Sequence, residues 1–107
     1  MQKLNKLEIL NPARDEILEI ARLHTELVGP SSAGEITASI KNALGLLPAQ
    51  PHMGMACREK HLARECYRML ICGTYLCFYR LVGDTVFVYH IIDGRTNYSE
   101  ILADLRQ

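Results

Sequence analysis

The chain has 107 residues, with 12 lysines and arginines against 12 aspartates and glutamates, so its formal net charge is zero. A protein that coats nucleic acid without sequence preference usually carries excess positive charge, and a disordered regulator combines excess charge with few apolar residues, so this balance argues against both classes. The hydrophobic fraction of 49% and the charged fraction of 22% are typical of a folded chain, and the length predicts a single domain over residues 1–107.

The first part of the chain predicts a short strand followed by a helix. Weak alternation of apolar residues from Lys3 to Leu10 favours a strand. Asn11 suits an N-cap and Pro12 suits the first helical position, and apolar residues then recur every three or four positions. We therefore expect a helix from Pro12 to about Val28.

A second helix is predicted from Ala33 to Leu47. Gly29-Pro30 ends the first helix, Ser32 and Glu35 have the spacing of a capping box, and Pro48 stops the second helix. Because the joint between the two helices is short, they are expected to form an antiparallel hairpin.

The remaining residues predict a three-strand meander and a last short helix. Residues 48–64 have no regular pattern, and alternation of period two then marks strands at Cys66–Ile71, Tyr75–Leu81 and Thr85–Ile92. Glycine-containing pairs at 73–74 and 83–84 predict hairpin turns, and Asn97 with Glu100 is typical of a helix start. This order predicts an α+β fold, with helices on one face of a mostly antiparallel sheet.

Four cysteines lie in the second half of the chain, at Cys57, Cys66, Cys72 and Cys77. No two of them form a C-x-x-C pair, so we expect neither a zinc site nor any other metal or cofactor. The apolar runs are too short for a signal peptide or a membrane span, which predicts a cytoplasmic protein with reduced thiols. The last three cysteines lie in apolar, strand-like runs and are expected to be small buried hydrophobic residues.

Strand alternation also predicts which side chains share a face of the sheet. Phe87, Tyr89 and Ile91 are the better candidates for burial beneath the helices. The opposite face would then carry Arg68, Arg80 and His90. Such a face is either a platform for an anion or an acidic partner, or a solvated surface whose arginine stems cover apolar strands.

The zero net charge conceals a basic centre. Residues 51–80 carry five basic side chains against Glu59 and Glu65, a local charge of +3, and the flanking segments compensate for it. Contact with a phosphate backbone would be expected to begin at this segment.

Three segments of the chain have the spacing of a known family. Pro51-His52-Met53-Gly54 followed by Arg58-Glu59 has the pattern P-x-x-G-x-x-x-R-E, which resembles a segment of RelE/ParE-type toxins. The run from Tyr67 to Arg80 is similar to its paired R-x-L and Y-x-x-F-Y-R strands, and the run from Asp93 to Leu102 resembles its closing segment. The order of elements also matches, so the resemblance covers nearly the whole chain.

This resemblance implies the toxin of a type II toxin–antitoxin pair, a plasmid-stabilisation system, neutralised by a small antitoxin protein. RelE-like members cleave mRNA in the ribosome without a metal, whereas ParE-like members share the fold and inhibit DNA gyrase by binding. The first hypothesis is therefore a ribosome-dependent endoribonuclease. The alternatives are a gyrase inhibitor and an inactive, degenerate toxin.

For the endoribonuclease, the resemblance implies a set of basic and proton-transferring residues. Cleavage through the 2′-hydroxyl needs positive charge around the phosphate and groups that move protons. The candidates for phosphate binding are Arg58, Arg68 and Arg95, and those for proton transfer are His61, His90 and Tyr98. The candidates for contact with the antitoxin or the target are Arg68, Leu76, Phe78 and Arg80.

Departures from the pattern weaken the endoribonuclease hypothesis. Leu76 and Thr96 stand where RNase members often have basic residues, and Asp93 stands where a histidine is frequent. Structural roles also stay open for the candidates: Arg58 could pair on its loop, His61 could be solvent-exposed, His90 could be a hydrogen-bonded sheet residue, and the Tyr98 ring could pack against the sheet.

Overall fold

The computed structural model describes residues 4–105 and has a mixed α+β fold, as predicted. In chain order, its elements are β1 (Lys6–Ile9), α1 (Asn11–Leu27), α2 (Pro30–Gly45), β2 (Met55–Ala56), α3 (Lys60–Arg64), β3 (Arg68–Cys72), β4 (Tyr75–Val82), β5 (Thr85–Asp93) and α4 (Ser99–Leu102), which continues into a 3₁₀ turn (Ala103–Leu105). The helix hairpin, the meander and the short C-terminal helix are all confirmed. The predicted start of the first strand at Lys3 lies outside the described residues.

A single five-stranded sheet organises the molecule, in the order β1-β5-β4-β3-β2. The three meander strands pair antiparallel, and β1 adds to β5 in parallel, with Leu7 opposite Val86. The two-residue β2 extends the other edge, where Met55 pairs with Met69. Neither β2 nor α3 was predicted, because residues 48–64 show no periodicity from which to infer them.

The helices start earlier than the capping signals predict. Leu10, rather than Asn11, is the N-cap of α1, and Gly29 with φ of 133° precedes α2. Because the fixed φ of proline suits the first helical turn, α2 begins at Pro30. Ser32 therefore caps nothing, and its Oγ lies 3.4 Å from Nδ1 of His24 instead. Within residues 4–105, no helix combines the length and the apolar character needed to cross a membrane.

Both faces of the sheet are covered. The α1–α2 hairpin packs on one face around a core that includes Ile17, Ile40, Leu44 and Tyr79. On the other face, the short α3 and α4 pack over a second core of seven buried residues, namely Cys57, Leu62, Tyr67, Met69, Phe78, Ile92 and Leu102. The half-polar open face expected from the sequence is therefore largely closed by short segments.

A β-bulge reverses the predicted faces of β5. The pairing steps from Phe78 opposite His90 to Tyr79 opposite Val88, so Tyr89 has no partner in the ladder. An extra residue shifts the alternation by one position. Val86, Val88 and Ile91 consequently enter the core beneath the helices, whereas Phe87 and Tyr89 are only half-buried. The expectation that Phe87, Tyr89 and Ile91 share the helix side is wrong for the first two.

The cysteines differ in their surroundings. Cys57, Cys72 and Cys77 are buried, and burial raises the pKa of the Cys77 thiol to about 12. Cys66 was expected to be buried in a strand, but it is exposed and follows α3 with φ of 66°. It takes the left-handed position that ends a helix, and β3 begins two residues later.

Candidate functional site

Arg68 holds the loop that precedes β2. Its Nε donates to the carbonyl oxygen of Gly54 at 3.0 Å, and its Nη2 donates to the same oxygen at 2.7 Å and to that of His52 at 3.2 Å. The strand register places Arg68 opposite Tyr79, whose hydroxyl accepts a hydrogen bond from the Gly54 N–H at 2.9 Å. The chain's own carbonyls thus occupy donors that were expected to bind phosphate.

Gly54 is a point of close approach between this loop and the sheet. A Cβ at this position would lie 2.7 Å from the carbonyl oxygen of Met69 and 2.8 Å from the Tyr79 hydroxyl. Both distances are too short for a side chain, so only glycine fits here. The glycine of the P-x-x-G segment therefore has a packing role.

Arg80 lies on the opposite face of the sheet from Arg68, because β4 pairs Arg80 with Phe87. Its guanidinium carbon stacks 4.4 Å from the centre of the Tyr67 ring, and Nη2 donates to the Tyr89 hydroxyl at 3.0 Å. Desolvation lowers the pKa of Arg80, but the hydrogen bond to Tyr89 and the electrostatic effects of Tyr89, Tyr67 and Glu65 together outweigh it and raise the pKa overall. The expectation that Arg68, Arg80 and His90 share one open face is therefore wrong.

His90 is buried against α1. Its exposed fraction is 5%, and its Nδ1 lies 3.1 and 3.2 Å from the two carboxylate oxygens of Glu16. The same carboxylate accepts the backbone N–H of Ile91 at 2.9 Å. Glu16 thus ties α1 to the part of β5 that lies beyond the end of β1. This position makes His90 a residue of the helix–sheet junction.

Arg95 is exposed in the segment after β5 and pairs with its neighbour Asp93. Nε and Nη2 donate to the two carboxylate oxygens at 3.0 and 2.8 Å, and the backbone N–H of Arg95 donates at 2.9 Å. These hydrogen bonds lower the pKa of Asp93. Asp93, which stands where related toxins often have a histidine, therefore forms an ion pair with Arg95, two residues later.

The predicted aromatic and apolar residues belong to the second core. Tyr98 packs on Phe78 with ring centres 5.8 Å apart, and Phe78 is 1% exposed. Leu76 packs against the same core and is half-buried. Phe78 is thus covered by the chain's own C-terminal segment, which corrects its expected place on a partner-binding surface.

The remaining candidates are Arg58, two residues before α3, and His61, in the first turn of α3. Arg58 is exposed, whereas His61 is half-buried. Within the described residues, Nε2 of His61 and Oε2 of Glu59 are buried without a hydrogen-bond partner.

The pocket beside Arg68 does not gather the six predicted catalytic residues. A pocket of about 270 Å³ lies beside Arg68 and is also lined by His52, Cys66, Tyr67 and smaller apolar groups. Arg68 is the one member of the six that lines it. Charge-stabilised cleavage needs several donors aimed at one point, and this pocket does not bring the predicted donors together.

A second concavity, which the sequence did not predict, lies where α1, α2 and the end of β1 meet. It encloses about 340 Å³ and is lined by Ile9, Asn11, Arg14, Asp15, Ile17, Leu18 and Lys41. Leu18 is 69% exposed at this site, although most residues of its size and polarity are buried. The signal in the sequence was a leucine lying off the apolar stripe of the first helix. We call this concavity the α1–α2 groove.

Comparison with known proteins places the chain in a family. Residues 7–98 match the family model described as "ParE toxin of type II toxin-antitoxin system, parDE". No curated protein matches the chain.

Two solved structures have a similar fold. One belongs to a chromosomal ParDE toxin–antitoxin system from P. aeruginosa, with a TM-score of 0.74 and 16% sequence identity, over 84% of this chain and 96% of that one. The other is from the RelBE2 toxin–antitoxin complex of Mycobacterium tuberculosis, with a TM-score of 0.59 and 20% identity, over 87% of this chain and 94% of that one.

Proposed function

The chain belongs to the ParE toxin family of type II toxin–antitoxin systems, and we propose that it acts by binding DNA gyrase rather than by cleaving RNA. The family match covers residues 7–98, which include every candidate site residue. Because RNase and gyrase-binding toxins share this fold, support for the mechanism must come from the site itself.

The observation that supports binding over cleavage is the separate engagement of the predicted catalytic side chains. Arg68 donates to loop carbonyls, Arg95 pairs with Asp93, and His90 lies against Glu16. An endoribonuclease that works without a metal needs such groups around one phosphorus, with a proton donor or acceptor in reach. Here three of them lie in three different hydrogen-bond networks.

Gyrase supercoiling in vitro tests this proposal. We expect purified toxin to inhibit the supercoiling of relaxed plasmid at micromolar concentration, and an excess of the cognate antitoxin to restore it. In cells, induced expression should arrest growth while primer extension finds intact transcripts.

Two results would contradict the proposal. Transcript cleavage during growth arrest, with gyrase activity unaffected, would show an endoribonuclease. Expression without growth arrest would indicate an inactive toxin.

For the antitoxin, we propose docking in the α1–α2 groove. Apolar side chains of Ile9, Ile17 and Leu18 line it, together with two cations, Arg14 and Lys41, and one acidic residue, Asp15. An exposed leucine in a groove with more cationic than acidic groups suits an amphipathic segment that carries both apolar and acidic residues. Both similar structures come from toxin–antitoxin systems, which supports an antitoxin partner for this chain.

Replacing Leu18 with glutamate tests the groove. Burial of a leucine side chain contributes about 1.5–3 kcal/mol, so Leu18→Glu should weaken antitoxin binding at least about tenfold. Because Leu18 is exposed in the free toxin, the melting temperature of the Leu18→Glu variant should stay close to that of the wild type. Isothermal titration calorimetry gives the affinity. Leu27→Glu is the matched control, since Leu27 is 80% exposed on the same helix and does not line the groove. Equal affinities for the two variants would exclude the groove.

A further inference from the structure

Three cationic side chains at or just before α3 have no carboxylate partner, unlike most other cationic side chains of the described chain. Carboxylates pair with Lys6, Arg22, Arg80 and Arg95. Arg58, Lys60 and Arg64 are exposed, and none of them has an ion pair or a side-chain hydrogen bond within residues 4–105. We call these three residues the α3 basic patch.

The acidic residues beside the patch form no ion pair with it. Glu59 has one carboxylate oxygen buried, and Glu65 lies 3.9 Å from the guanidinium of Arg80. The three cations of the patch therefore have no carboxylate partner within the described residues, on a chain whose net charge is zero. Side chains that remain unpaired when acids lie so close in sequence are available to an external anion.

The helix α3, which carries Lys60 and Arg64, is held in place by packing and by a backbone hydrogen bond. Leu62 is fully buried in the second core, and its carbonyl accepts the N–H of Tyr67 at 3.0 Å. Lys60 and Arg64 are four residues apart, so their Cβ atoms lie about 5–6 Å apart on one side of the helix. One strand of duplex DNA carries a phosphate every ~3.4 Å along the helix axis, so two side chains at this separation can reach neighbouring phosphates.

We propose that the α3 basic patch binds the phosphodiester backbone of DNA. The biological meaning rests on the proposed function, because a toxin bound to gyrase lies beside the DNA that gyrase holds. Exposed lysine and arginine are typical phosphate contacts, and the patch includes none of the aromatic or methionine side chains that are enriched, like arginine, at protein–protein interfaces. This composition and the spacing of Lys60 and Arg64 favour a nucleic-acid backbone over an acidic protein as the occupant.

The patch predicts weak, salt-dependent binding. Three phosphate contacts give a slope of about −2.7 in a plot of log affinity against log salt concentration. Because the rest of the chain carries a compensating charge of −3, the affinity of the isolated toxin for DNA should lie at the weak end of non-specific binding, near about 10⁻⁴ M.

The experiment measures binding of the full-length toxin to fluorescein-labelled duplex DNA of mixed sequence by fluorescence anisotropy, over a series of salt concentrations. We expect Lys60→Glu to weaken binding about tenfold and to reduce the salt slope by about one. Lys6→Glu is the matched control, because it makes the same change of charge at an exposed pair whose loss costs little. Circular dichroism melts confirm that both variants fold.

Three results would overturn the proposal. The first is equal loss of DNA affinity in both variants, which would indicate a dependence on net charge alone. The second is tighter, patch-dependent binding to labelled single-stranded RNA. The third is a patch effect confined to binding of the purified antitoxin, which would assign the patch to an acidic protein.

A supercoiling assay on the same proteins separates this proposal from the proposed function. If wild-type toxin inhibits gyrase while Lys60→Glu leaves DNA binding unchanged, the patch proposal fails alone. If binding depends on the patch but wild-type toxin does not inhibit gyrase, the DNA contact is supported and the gyrase target fails.

Discussion

Replacing Gly54 with alanine is expected to lower the free energy of unfolding by about 3 kcal/mol, near the upper end of the usual cost of overpacking. The added methyl group would lie 2.7 Å from the carbonyl oxygen of Met69 and 2.8 Å from the hydroxyl of Tyr79. Tyr79 is fully buried and backbone atoms cannot yield cheaply, so the loop must move. That movement would also disrupt the hydrogen bonds that Gly54 makes with Arg68 and Tyr79.

Thermal denaturation followed by circular dichroism measures this effect, and the melting temperature should fall by about 10–20 °C. Gly34→Ala is the matched control. It lies in the interior of α2 with no atom near the added Cβ, so alanine should stabilise the protein by about 0.5–1 kcal/mol. A Gly54→Ala variant that melts with the wild type would mean that the loop is not held against the sheet.

Arg68→Ala is expected to cost about 2–3 kcal/mol of unfolding free energy, because hydrogen bonds from a charged donor contribute more than neutral ones. The variant would leave the carbonyl oxygens of Gly54 and His52 without the donors that now hold the loop. Arg68→Lys should recover only part of the loss, since an ammonium lacks the planar fork whose Nε and Nη2 both donate to the Gly54 carbonyl.

Urea denaturation distinguishes this role from phosphate binding. Arg58→Ala is the control, because Arg58 is exposed and its removal should change stability by less than about 0.5 kcal/mol. If Arg68→Ala kept full stability while toxicity disappeared, Arg68 would be a functional residue in the sense first predicted from the sequence.

The meander was predictable because its strands obey period two and its turns contain Gly73 and Gly83, which adopt positive φ. The faces of β5 were not predictable. A prediction from alternation assumes an unbroken strand ladder. The bulge at Tyr89 interrupts the ladder, and no residue type at this position indicates a bulge. The parallel pairing of β1 with β5 joins opposite ends of the chain, which local patterns do not reach.

The candidate site shows the same division. Motif spacing identified Gly54 and Arg68 as notable residues, but it could not tell a phosphate ligand from a side chain that holds a loop. That distinction depends on the strand register, which pairs Arg68 with Tyr79 and not with Arg80. The sequence also indicated a basic centre, but the separation of paired from unpaired cations required the positions of Glu59 and Glu65.

The Glu16 carboxylate has an effect on association that follows from its position. Beyond Ile9, where β1 ends, the edge of β5 would be open to a strand of another molecule. The Glu16 carboxylate accepts the Ile91 N–H there. An incoming strand would therefore have to displace a charge-assisted hydrogen bond and bury a carboxylate. The same contact that joins helix to sheet thus protects this edge against intermolecular β-pairing, the first step of aggregation.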